Sequence, residues 1–250
     1  LCKRYYTSAD VYDGRYGRLY EIPRHLAELG HVVELVCHSY RGGSPEDRRE
    51  ESGNFALSTW NLGPEPVSGL WRHARRLEQF AESCRPDAVI GASDCFQVIL
   101  ASRLARRRGL PFVADLYDNF ASFGAARLPG ILPLYARALN HADAITVVSG
   151  QLLQLVRDRY RSPGRLYLVE NAVSGPFLEQ HDRAGCRDRF GFTSERRYVG
   201  TAGSLSRAKG IDVLLDAFAE IDGGPPVEFP LRDIPERPTG WRGGRRDGGR

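Results

Sequence analysis

Short runs rich in Val, Ile and Leu alternate along most of this chain with longer stretches of helical periodicity. No other feature restricts the possible folds so strongly. Strands buried on both faces read as continuous apolar runs, and a helix between successive runs is the crossover that a parallel sheet requires. The candidate strands are VVELVC (32–37), DAVIGA (87–92), PFVADL (111–116), AITVVS (144–149) and LYLVEN (166–171), with a weaker one, FALSTWNL (55–62), placed at an edge. Between them, Leu19, Ile22, Leu26 and Leu29, then Leu70, Ala74, Leu77 and Ala81, fall at helical spacing. Each stripe buries one face of a helix against the sheet. Pro23 marks a kink or a first turn in the first stripe, and Gly30 supplies a C-cap. The stretch 38–54, built round SPEDRREESG, is too polar to pack and reads as a long mobile loop.

The pattern predicts an α/β protein with a doubly wound parallel sheet occupying residues 1–180. A charged connector fills 181–197. A second β-α series opens at YVGTAG (198–203) and runs through KGIDVLLDAFAEI to residue 221. Beyond it, 222–250 is dominated by Gly, Pro and Arg without periodicity and reads as disordered. The chain has no methionine and opens at Leu1-Cys2-Lys3-Arg4, which resembles the tail of a strand. A missing N-terminus is therefore expected.

Charge excludes little except nucleic acid: 35 Lys and Arg against 31 Asp and Glu leave a net +4, too small and too evenly spread for a nucleic-acid footprint. The five cysteines form neither a CxxC pair nor a Cys/His cluster with metal spacing. No apolar run approaches the roughly 18–20 residues needed to cross a bilayer. These features predict a reduced, cytoplasmic protein, soluble or at most peripheral at the inner membrane face. The six histidines show no HExxH, there is no GxSxG elbow, and Gly14 and Gly17 do not complete the GxGxxG of a nicotinamide-binding turn.

The most informative segment is GTAGSLSRAKGIDVLLDAF (200–218): a strand, a small-residue turn, two cations and the start of a helix. Gly203 lets the backbone approach a ligand, a helix N-terminus presents unpaired N–H groups, and Lys209 with Arg207 can neutralise a diphosphate. The alternative is an ordinary β-α turn with a solvated Lys209.

Together with NAVSGPF (171–177), this segment resembles the hinge and donor-domain opening of glycosyltransferase family 4, and GRYGRLYEIPRHLAELGHVVELVC (14–37) resembles that family's first helix and second strand. The resemblance covers most of 3–221. It implies the GT-B architecture of two Rossmann-like domains and a metal-independent transfer with retained anomeric configuration. The substrate would be a nucleotide-diphosphate sugar, the acceptor a hydroxyl on a saccharide or lipid-linked molecule, and no cofactor is implied.

The same resemblance assigns roles to residues. Lys209 matches the lysine that stabilises charge on the departing diphosphate, and Gly17 the glycine of the N-terminal loop beside the donor phosphates. Asn171 falls at the hinge. Where relatives carry arginine after the glycine of the donor loop, this chain has Ser204 after Gly203, which leaves Arg207 as the substitute cation. Where many carry a His-Asp pair near the reacting sugar, this chain has Tyr117 on the acceptor side and Asp118 as the catalytic candidate. Asp118 also reads as a loop-capping Asx turn. Nothing after residue 221 resembles the glutamate pair that holds sugar and ribose, so a truncated, shifted-frame chain with impaired transfer is expected. A non-catalytic remnant or saccharide-binding module and a nucleotide-sugar epimerase are the alternatives.

Two weaker signals concern a membrane surface. GLWRHARRLEQF (69–80) is a basic amphipathic helix, and LPGILPLY (128–135) is an apolar loop. With a lipid-linked acceptor both could rest on anionic lipid; otherwise the helix simply packs on the sheet. ARRRG (105–109) reads as the capped last turn of a helix.

Overall fold

The computed structural model describes residues 1–6, 9–15, 17–39, 47–61, 66–160, 164–173, 180–193, 197–198, 200–201, 207–220 and 227–228. The chain divides into two compact units, Leu1–Leu178 and Glu179–Arg250.

In the first unit, β1 (Cys2–Lys3) is followed by a small hairpin of β2 (Tyr5–Tyr6) and β3 (Ala9–Asp10), then α1 (Val11–Gly14), α2 (Arg18–Glu28) and β4 (Val33–Ser39). Next come β5 (Arg48–Ser52), β6 (Phe55–Asn61), α3 (Pro66–Cys84), β7 (Val89–Ala92), α4 (Cys95–Arg108) and β8 (Phe112–Leu116). Two 3-10 turns at Phe120–Ser122 and Gly124–Arg127 lead into α5 (Ile131–Asn140), β9 (Ala144–Val147), α6 (Gly150–Arg159) and β10 (Arg165–Leu168).

One four-stranded sheet runs β1-β4-β6-β5 and another β10-β9-β8-β7. They meet where the Ala92 N–H donates to the Leu1 carbonyl at 2.9 Å and the Lys3 N–H to Ser93 Oγ at 2.6 Å. Within these two sheets all pairings among the described residues are parallel except β5 on β6. Strand order therefore reverses between β1 and β7, the kind of switch point at which doubly wound sheets bind their ligands.

Both faces of the sheet are covered. In β4, Leu35 and Cys37 join Leu19 of α2 in one buried cluster. The alternate residue Val36 joins Leu77 of α3, Val98 of α4, Leu139 of α5 and Val156 of α6 in the other. Gly91 lets α4 lie directly on β7: a Cβ there would meet Ala101 Cβ at 2.7 Å and the Gln97 carbonyl oxygen at 3.1 Å. The expected C-cap at Gly30 forms, with its N–H donating to the Ala27 carbonyl and the His31 N–H to that of Leu26. Gly109 closes α4 likewise, after Arg106, Arg107 and Arg108 in the last turn. Pro23 lies inside α2. On α3, Leu77 and Ala81 are buried, and Phe80 sets its ring edge-on to Trp60 at 5.3 Å. This part of the basic helix packs against the sheet.

Two expectations are corrected here. Residues 38–54 are not one loop: His38 and Ser39 finish β4, and Arg48–Ser52 form β5, antiparallel to β6. All five β5 residues are exposed, so no apolar alternation marks the strand. It is held by its ladder and by Arg49, whose Nη1 and Nη2 reach Glu34 at 2.7 and 2.8 Å. In consequence β6 is not an edge strand but lies between β4 and β5.

The second unit contains α7 (Arg183–Phe190), β11 (Arg197–Tyr198), a 3-10 turn at Arg207–Lys209, α8 (Ile211–Ala219) and β12 (Val227–Glu228). Asp182 caps α7 by accepting from the Ala184 and Gly185 N–H groups, and Phe192 stacks on Tyr198 with centroids 4.2 Å apart. β12 pairs parallel with β11, making a β-α-β unit. The expectation that 222–250 holds no regular structure is corrected at these two residues, too few to leave a periodic signal. Residue 221 lies outside the described residues.

Candidate functional site

The C-terminal edge of the first unit's sheet gathers the polar groups. Arg4, just past β1, is 2% exposed and holds Asp10 through Nε at 3.0 Å and Asp13 through Nη2 at 2.6 Å. Asp10 in turn caps α1 by accepting from the Tyr12 and Asp13 N–H groups. A buried cation held by two carboxylates fixes the segment that leads to Gly17.

Gly17 precedes α2 with φ 71° and ψ −173°, a region open essentially to glycine alone. Its carbonyl accepts from the Tyr20 and Glu21 N–H groups, and it has no side chain with which to cap the helix. The loop thus presents bare backbone and a helix start with no side-chain cap.

Arg18, next in sequence, turns inward. Its Nε and Nη2 engage the Asp115 carboxylate at 3.0 and 2.6 Å, its Nη1 donates to the Val169 carbonyl at 2.5 Å, and Thr146 Oγ1 donates to the same carboxylate at 2.5 Å. Residues from α2, β8, β9 and the exit of β10 are thereby tied together.

At the end of β7, Ser93 is buried and non-glycine yet adopts φ 84°. Its Oγ is held by the Lys3 N–H, and its carbonyl accepts from the Tyr117 hydroxyl at 3.0 Å. Asp94 beside it caps α4 and lies 3.8 Å from Lys3 Nζ. Burial pushes the Asp94 carboxyl above its ordinary value, against the opposing pull of Lys3. Strain at Ser93 and a perturbed carboxyl beside it make this strand end a candidate site.

Of the residues singled out in the sequence, Tyr117 is half-buried, its ring edge-on to Phe120 at 5.0 Å, with its hydroxyl engaged by Ser93. Asp118 is exposed, and its Oδ1 accepts from the Asn119 N–H at 2.7 Å. The local cap exists, and one carboxylate oxygen has no hydrogen bond among the described residues. Gly17, Tyr117 and Asp118 all follow C-terminal strand ends of the first unit, and Asn171 is exposed beyond β10.

In the second unit, Arg207 and Lys209 are exposed on the turn before α8. Arg207 Nε stands 3.9 Å from Asp212, while Lys209 has no ion pair among the described residues. Gly210 is the N-cap of α8, with φ 69° and no side-chain cap. Gly203 and Ser204 lie outside the described residues. Sequence reasoning passed over Arg4, Arg18, Ser93, Asp94 and Gly210. Arg18 beside Gly17 and Gly210 beside Lys209 had a signal in their neighbours; the others depend on contacts across the sheet. Among the described residues no group of three His, Cys, Asp or Glu side chains is placed to hold a metal ion.

A parallel sheet with helices on both faces and a reversal of strand order defines the doubly wound, Rossmann-like class of α/β domain. Residues 18–172 match the glycosyl transferase 4-like domain, and the chain belongs to that family. The fold is similar to that of sucrose-phosphate synthase from Thermosynechococcus elongatus, with a TM-score of 0.67 and 17% identity over 84% of this chain and 54% of that one. The chain thus spans about half the length of that structure. No curated protein sequence matches it.

Proposed function

We propose that the protein transfers a hexose-like sugar from a nucleotide-diphosphate donor to a hydroxyl of a saccharide or lipid-linked acceptor, with retention and without metal. One observation carries the donor half of this reading: Lys209 is exposed, unpaired by any described carboxylate, and stands directly before Gly210, the N-cap of α8, which offers no side-chain cap. Two charges of a diphosphate suit such a turn, with Arg207 as the second cation.

Transfer breaks the bond between the sugar's anomeric carbon and the diphosphate oxygen, and the acceptor oxygen bonds to that carbon. Negative charge grows on the departing diphosphate, and a fixed cation stabilises the transition state more than the bound donor. On the acceptor side we assign Asp118 to the reacting hydroxyl, where its carboxylate would take the proton. Tyr117 shapes the neighbouring wall, and Gly17 keeps its loop bare. Asn171 is assigned to the hinge.

Incubation of the chain with UDP-, GDP- and ADP-hexoses and a panel of saccharide and lipid-linked acceptors tests this reading. Release of nucleoside diphosphate with a glycosylated acceptor supports it. Saccharide binding without release identifies a binding module, and inversion of a sugar centre without transfer an epimerase; either outcome replaces it.

A further inference from the structure

We propose that residues 128–134, with the arginines of α4 and α5 beside them, form a surface that docks on anionic lipid. The segment reads Leu-Pro-Gly-Ile-Leu-Pro-Leu, without a charge or a polar side chain. Leu128, Leu132 and Leu134 are 54%, 37% and 49% exposed, and both prolines are exposed between them. α5 already has a core face in Tyr135, Ala138 and Leu139, all buried, so these leucines are not a core stripe turned the wrong way. A contiguous exposed apolar patch is a contact site.

What it contacts follows from its rim. Leu134 and Ile99 share a groove of about 520 Å³ with Arg103, Arg106, Arg107 and Arg137, and no carboxylate lines it. Arg106 and Arg137 are exposed and make no ion pair among the described residues, and Arg127 is exposed at the edge of the apolar segment. An anionic bilayer interface takes both parts at once, burying leucines at the acyl boundary and setting guanidinium groups among phosphates. A second copy of the chain docked by the same face would bring arginines against arginines, and a nucleic acid would leave the leucines wet. None of these residues belongs to the site at the strand ends, so the surface is independent of the sugar-transfer reading.

Sedimentation of the full chain with phosphatidylcholine vesicles, alone and mixed with phosphatidylglycerol, decides the matter without any sugar present. Binding is expected to the mixed vesicles and not to the neutral ones. Each of Arg106→Gln and Arg137→Gln should weaken it about fivefold, with less effect at high salt. Leu132→Ser with Leu134→Ser should abolish binding, and because both side chains are partly exposed and lie outside the buried core the chain should stay folded by circular dichroism. Absence of binding to mixed vesicles, equal binding to both kinds, or indifference to all four substitutions overturns the proposal. So does a concentration-dependent dimer that the leucine substitutions dissolve, or an acidic protein that competes for the arginines while vesicles do not bind.

Discussion

Arg18 closes on Asp115 through two donors, Nε at 3.0 Å and Nη2 at 2.6 Å, although 97 positions separate the two residues. Their side chains are 5% and 10% exposed. Removing one partner of a buried pair leaves an uncompensated charge, which costs about 3–5 kcal/mol. Arg18→Ala and Asp115→Ala should each lower the thermal midpoint by several degrees. The double substitution should be less destabilising than the sum of the two singles, which a double-mutant cycle measures by chemical denaturation.

Gly17 is the next element of that loop. With φ 71° and ψ −173°, an alanine there is strained by about 1–3 kcal/mol. Gly17→Ala should therefore lose stability in denaturant titration, and on the present account it should lose transfer by a larger factor than the folded fraction falls.

His38 provides a pH dependence. It is fully buried at the end of β4, neither ring nitrogen has a hydrogen-bond partner among the described residues, and its ring lies 4.8 Å from that of His73. Burial, reinforced by His73, holds its pKa well below the usual 6.5. The folded state thus binds this proton less readily than the unfolded chain. The stability from a neutral His38 is complete above about pH 6.5 and declines as pH falls below it, by up to about 1.4 kcal/mol per unit. Denaturation midpoints measured from neutral to acid pH should show this decline, and His38→Leu should remove that component.

Asp118 separates a local from a chemical role. Asparagine keeps an oxygen able to accept from the Asn119 N–H, so Asp118→Asn should leave the thermal midpoint unchanged. Loss of a positioned base costs typically about a hundredfold to ten-thousandfold, and turnover should fall by that order. Unchanged turnover would confine Asp118 to capping.

Strands such as VVELVC and PFVADL were legible because burial on both faces leaves apolar runs no loop carries. β5 was not legible: its charged residues are all exposed, and only its ladder to β6 makes it a strand. That omission also misplaced β6 at an edge. Gly17 and Tyr117 were singled out from local sequence and resemblance, which reach only what lies within one segment. The pairing of Arg18 with Asp115 and the holding of Ser93 by Lys3 could not be, since both depend on which strands become neighbours.

Sugar transfer as proposed requires the turn before α8 to hold a donor diphosphate. Thermal shift of the full chain with UDP-, GDP- and ADP-sugars, compared with Lys209→Ala, measures it directly. Stabilisation by at least one nucleotide sugar is expected, greatly reduced in the variant, whose own midpoint without ligand should match the parent because Lys209 is exposed. Equal stabilisation of both proteins, or no response to any nucleotide sugar, would contradict the proposal.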